Sequence, residues 1–191
     1  MIDQLQAGDA VVVVDIQKDF CPGGALAVPA GDEVVPVLNR WIARAERVGA
    51  TVVLTRDWHP PDHCSFKAHG GPWPVHCVRD TAGAEYHPGL RVPRRAICVD
   101  KAVEPDRESY SAFAGTTLGR QLREKSIKRL WVGGLALEYC VRATVLDGLT
   151  EGFEVHVLEP ATRAVELEPG DGRRAIAEMA AAGALIEGAA S

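Results

Sequence analysis

Residues 10–15 read AVVVVD, and this short run decides the fold. It is apolar at every position up to Val14 and largely β-branched, as expected of a strand covered on both faces in a parallel sheet; a strand with one wet face would alternate. Similar runs recur at 51–55 (TVVLT), 96–99 (AICV), 129–133 (RLWVG) and 154–158 (EVHVL), with a weaker one at 184–186. Between the first two runs, Val34, Val35, Val37, Leu38, Trp41, Ile42, Ala45 and Val48 follow helical spacing, and Gly49 stands where such a helix would stop. Leu118–Glu124, 140–150 and the alanine-rich 172–182 read as further helices. Strands alternating with helices predict an α/β fold: a six-stranded parallel sheet in the order 3-2-1-4-5-6, with right-handed crossovers and helices on both faces.

The chain has 191 residues, 47% hydrophobic and 25% charged, which is the balance of a globular domain and not of a disordered or fibrous chain. One domain over residues 1–191 is expected. Against 26 acidic side chains stand 21 basic ones, a formal net charge of −5, so the broad positive face of a non-specific nucleic-acid binder is not indicated. The N-terminal MIDQLQAGDA has neither a basic nor an apolar leader region, and no apolar run approaches the ~20 residues of a membrane span. A cytoplasmic protein with a small-molecule ligand is expected, without nucleic-acid or membrane partners. Cys21, Cys64, Cys77, Cys98 and Cys140 are odd in number and contain no CxxC, so they read as free thiols. The stretch 57–95 holds six prolines, four glycines and five of the six histidines, and is expected to be a long functional loop.

Reactive side chains fall at the carboxyl ends of the predicted strands: Asp15 after the first, Asp57 and His59 after the second, Lys101 after the third and Cys140 after the fourth. Open α/β sheets bind ligands along that edge. Cys140 lies where a strand runs out through glycines and a helix begins; the helix end would favour thiolate, and its N–H groups could hold an oxyanion. An inert thiol packed under the helix is the plainer alternative. Asp15, costly to bury without a partner, could serve Cys140 as general base or merely cap the next turn. Lys101 could keep Asp15 ionised, or be an ordinary surface lysine. Strand three is two places from strand one, about 10 Å at ~4.8 Å per step, so the lysine must lean inward.

In RDWHPPDHCSF (56–66), Asp57 and His59 are two apart and so share a face of an extended segment, and His76 of PWPVHCV (72–78) could return to meet them. One carboxylate and two imidazoles with open positions suit zinc or ferrous iron, and cobalt or manganese are compatible; a structural D-x-H pair is the competing reading. His63 is a further candidate ligand, and His69 and His87 read as solvated. Phe20, Trp73, Tyr110 and Phe113 could line a pocket for a flat ring.

Together VVVVDIQKDF with PGGALAV, TRDWHPPDHCSF, WPVHCV, DKAVEPDRESYSAF and GGLALEYCVRATVLDGLTEGFEV resemble the nicotinamidase branch of the isochorismatase-like cysteine hydrolases, over residues 11 to about 165. The resemblance implies deamidation of nicotinamide to nicotinate and ammonia through a cysteine thioester, with pyrazinamide as a second substrate. It makes Asp15, Lys101 and Cys140 catalytic and assigns Asp57, His59 and His76 to one divalent metal, zinc or iron, with manganese compatible. Phe20 and Trp73 would sandwich the ring, with Tyr110 and Leu135 also against substrate. A cis bond between Leu135 and Ala136 would set the N–H of Ala136 beside that of Cys140 as an oxyanion hole. The chain departs from the family in having Leu137 and Glu138 where threonine and aspartate are common. Rival readings within the superfamily are a carbamoyl or ureido amidase and a vinyl-ether hydrolase; from another class, a non-catalytic metal or ligand-binding module. A homo-oligomer is compatible with all of these.

Overall fold

A computed structural model describes residues 2–188. Its strands are β1 (Asp9–Val14), β2 (Thr51–Asp57), β3 (Ile97–Lys101), β4 (Arg129–Gly134), β5 (Glu154–Thr162) and β6 (Leu185–Glu187), and its α-helices are α1 (Val34–Val48), α2 (Leu118–Glu124), α3 (Arg142–Thr150) and α4 (Asp171–Ala181). The six strands form one parallel sheet in the order β3-β2-β1-β4-β5-β6, as the alternation predicts.

The unbroken apolar run of β1 follows from its place at the centre of the sheet. Val11 and Val13 pack with Leu38 and Ile42 of α1 on one face, while Val12 and Val14 pack with Val145 of α3 and Met179 of α4 on the other. Both faces are dry, so alternation would leave a polar side chain in one of two cores. Among the described residues no helix is long and apolar enough to cross a membrane.

Four elements differ at their ends from the sequence reading. β2 and β3 run on to include Asp57 and Lys101, which are register partners across the two strands. β5 continues to Thr162, because the β4–β5 register shifts after Val132 and brings Thr162 opposite Gly134. The helix expected from residue 140 instead opens with a wide π-helical turn, Leu137–Val141, and becomes α-helical only at Arg142.

After β1 the chain builds outward through β2 and β3, then returns to the other side of β1 as β4, so the topological switch point lies between β1 and β4. The crevice beyond their carboxyl ends is roofed by the loop from 58 to 96. Short bridges pin that loop to the body and to itself, pairing Gln17 with Tyr86, His59 with Val78 and Phe66 with Trp73.

Candidate active site

β1 ends abruptly because Asp15 takes a left-handed backbone (φ 49°), a conformation aspartate tolerates better than most residues. Thr55 of β2 receives the turned residue: its hydroxyl accepts the Asp15 N–H at 3.2 Å and donates to the carboxylate at 2.6 Å. The other carboxylate oxygen lies 2.9 Å from Nζ of Lys101, an ion pair in which both side chains are fully buried.

Lys101 reaches Asp15 by crossing the end of β2, and there it meets Asp57, whose Oδ1 is 2.5 Å from Nζ. The same ammonium stands 3.4 Å from Sγ of Cys140. Facing carboxylates outweigh burial and hold the lysine well above its usual range, so it remains charged. For Asp57 burial acts upward, but Lys101 and His59 prevail and keep it well below the usual carboxylate range. Asp15 moves the other way: burial raises it and Lys101 only partly compensates.

Cys140 sits in the π-helical turn, buried. The expectation that the helix end lowers its pKa is corrected here: burial and the neighbouring Asp15 and Asp57 push the thiol well above its usual range, against Lys101. Burial thus favours the thiol over a preformed thiolate. Ligand atoms of Asp15, Asp57 and Cys140 all lie within 4.8 Å of one another.

The Leu135–Ala136 peptide is cis. The Ala136 carbonyl accepts the N–H groups of Tyr139 and Val141 at 3.1 and 3.2 Å and passes over that of Cys140, while the Ala136 N–H has no acceptor among the described residues. Leu135, expected against substrate, has its side chain wholly buried in the core and is not among the residues lining the cavity.

Asp57, His59 and His76 bring one potential ligand atom each to within 4.8 Å of one another. Their surroundings fit a cation. His59 Nδ1 lies 3.2 Å from the Ala102 carbonyl and His76 Nδ1 2.8 Å from the Pro74 carbonyl; a carbonyl can only accept, so each Nδ1 carries a proton, and in the neutral ring Nε2 is then the nitrogen left to bind a cation. His59 Nε2 is buried without a hydrogen-bond partner, 3.6 Å from Asp57. His63 stacks on His59 at 4.1 Å, but its nitrogens are engaged by Ser65 and the Arg107 carbonyl, and it is outside the converging set. His69 is exposed and His87 half-buried.

A cavity opens over Cys140, lined by Phe20, Trp73, Tyr110 and Tyr139 together with Asp57 and His76. Trp73 Nε1 donates to the Tyr110 hydroxyl at 3.0 Å, and the Tyr139 ring packs edge-on to Trp73, so three aromatic rings support one another. Phe113, expected in this aromatic set, packs in the core on Phe153 instead. Sequence reasoning missed Thr55, Tyr139 and the contact of Asp57 with Lys101. Tyr139 adjoins the nucleophile candidate and so was findable; Thr55 reads as one more strand residue.

A doubly wound α/β protein with a thiol, a carboxylate and an ammonium buried at its switch point has the layout of a hydrolase. The isochorismatase-domain family model matches residues 9–191, and the chain belongs to that family. It is 41% identical to the nicotinamidase of Escherichia coli (strain K12), over 93% of each chain. It is also similar to a solved pyrazinamidase of Pyrococcus horikoshii in complex with zinc (48% identity, TM-score 0.91, covering 94% of this chain and 98% of that one). A third relative is PnC1 from L. infantum in complex with nicotinate (36% identity, TM-score 0.88, covering 96% and 94%).

Proposed function

We propose that this protein is a nicotinamidase that hydrolyses nicotinamide to nicotinate and ammonia and also accepts pyrazinamide. The observation that carries the reading is one buried ammonium, 3.4 Å from the Cys140 sulfur and 2.9 Å from the Asp15 carboxylate, with Cys140 itself lining a cavity walled by aromatic rings. The names of the relatives point to the same substrate class. A flat heteroaromatic amide suits the aromatic walls of the cavity.

The substrate ring lies between Phe20 and Trp73, with the carboxamide over Cys140. Asp15, a stronger base for being buried, takes the thiol proton as sulfur bonds to the carbonyl carbon. Negative charge on the carbonyl oxygen is held by the N–H groups of Ala136 and Cys140. Lys101 keeps its charge throughout and stabilises Asp15 whenever that carboxylate is ionised. The C–N bond then breaks, Asp15 protonates the departing ammonia, and a thioester remains. A water molecule deprotonated by Asp15 attacks the thioester; nicotinate leaves and the proton returns to Cys140.

Asp57, His59 and His76 would hold a divalent metal, zinc or ferrous iron. Bound there, it would supply positive charge and Lewis acidity beside the cavity that Asp57 and His76 line.

The test is ammonia release from nicotinamide, pyrazinamide, an aliphatic amide and a ureido compound in parallel. The reading expects turnover of the two heteroaromatic amides and none by Cys140→Ala. A Cys140→Ala protein with parental turnover, or a preference for the ureido compound, would overturn it.

A further inference from the structure

Gln17 lies two residues beyond Asp15, on the segment that leaves the sheet, and the reaction above makes no use of it. Its side chain is fully buried. Nε2 donates to the Asp57 carbonyl at 2.8 Å and to the Ala84 carbonyl at 3.0 Å, while Oε1 accepts the Asp57 N–H at 2.8 Å. β1 pairs with β2 only as far as Val13 opposite Leu54. Asp57, three residues further on, has therefore lost the backbone that would have paired it on that side. A glutamine amide offers one donor and one acceptor in the same arrangement as a peptide unit, so the side chain supplies the missing rung of the ladder. The second Nε2 hydrogen ties the long loop at Ala84 to the same point, and main-chain bonds on either side, Lys18 N–H to Glu85 and His87 N–H to Ile16, fix the register of that tie.

What this rung holds is the residue shared by both halves of the site. One oxygen of Asp57 pairs with Lys101 and the other stands 3.6 Å from His59 Nε2. We infer that Gln17 is a positioning residue for Asp57: by gripping its main chain, Gln17 sets the carboxylate between the ammonium and the two imidazoles. Metal affinity and thiol chemistry then both depend on a side chain that touches neither. The inference rests on the metal reading of Asp57, His59 and His76. Glutamate in place of Gln17 keeps the shape but has no donor for the two carbonyls, and methionine keeps much of the volume with neither donor nor acceptor.

The experiment compares the parent with Gln17→Glu, Gln17→Met and, as a remote core control, Ile42→Val, which lies buried in α1. Each protein is stripped of metal and titrated with zinc against a chromophoric chelator; thermal melts are recorded, and kcat and KM for nicotinamide are measured at saturating zinc. The control is expected to melt earlier with zinc affinity unchanged. The Gln17 variants are expected to bind zinc at least about tenfold more weakly, the scale of outer-shell changes at metal sites. Their kcat is expected to stay several-fold below the parent's at saturating zinc, because the Lys101 side of Asp57 is displaced as well. A folded Gln17 variant with zinc affinity and kcat both within about twofold of the parent's overturns the inference. So does failure of both variants to fold while the control folds, since Gln17 would then serve the fold alone. A parent that binds no zinc defeats the metal reading instead, and the kcat of the variants then decides for or against Gln17.

Discussion

Asp15 has to take up a proton and give one back in each half of the proposed turnover, and its setting suits that double role, since it is buried, raised by that burial, and balanced by one ammonium. Asp15→Asn keeps the size of the side chain but cannot accept the thiol proton. Single-turnover ammonia release should fall by about 10²–10⁴-fold, the usual worth of a general base, with little change in KM. Lys101→Met has a different signature. It leaves the Asp15 and Asp57 carboxylates buried without a counter-charge, and breaking such a pair costs about 3–5 kcal/mol, so the urea midpoint should drop sharply along with activity. At this scale the sequence was informative where a reactive group ends a strand. Asp15, Lys101, Cys140, Asp57, His59 and His76 are all drawn together by the fold, and their type and position already suggested it. Thr55 and Gln17 were opaque, because each acts through hydrogen bonds that exist only once Asp15 has turned into the left-handed region. Leu135 fails for the converse reason: its neighbour Ala136 lines the cavity while its own side chain goes to the core.

The crevice exists because β1 and β4 separate after Val14 and Gly134, and Gly134 is the element-scale residue on which that depends. Its φ of 135° lies where L side chains are strained, and a Cβ there would run into the Val14 backbone. Gly134→Ala should therefore destabilise the protein by at least about 1 kcal/mol and should also reduce activity per folded molecule, since Val14 leads directly into Asp15. Gly8→Ala is the matching control: nothing lies within 4 Å of its would-be Cβ, and its urea midpoint should stay close to the parent's. Strands and helices were legible in the sequence because β1 is apolar on both faces and α1 on one, which are the two periodicities burial imposes. The ends of elements were not. β5 outruns its apolar stretch because its register shifts against β4 and brings Thr162 opposite Gly134, and the α-helix expected at Cys140 starts late because the Ala136 carbonyl bonds Val141 five residues on. Both follow from hydrogen bonds to neighbouring segments, which leave no period in the chain.

Across the whole molecule the site joins two parts held in different ways. Asp15, Lys101 and Cys140 stand on or beside the sheet, whose order and parallel sense follow from the alternation of strands and helices. His76 belongs to the roofing loop, whose path was not readable: its composition says loop, but the bridges from Gln17, His59 and Phe66 pair residues that show no pattern. A cation held by Asp57, His59 and His76 would link that loop to the end of β2, and binding to the folded state alone raises stability by about 2.7 kcal/mol at a metal concentration 100 times Kd. Zinc should therefore raise the melting temperature of metal-stripped protein in a concentration-dependent way, and His76→Ala should abolish most of that rise. Hydrogen exchange gives the spatial form of the same prediction. On chelation, amides between residues 58 and 80 should lose protection, whereas those of β1 and β4, at the centre of the sheet with dry faces on both sides, should keep theirs. Equal loosening of loop and sheet would mean that the cation sustains the fold as a whole; unchanged protection of the loop, with parental melting in His76→Ala, would remove His76 from the ligand set.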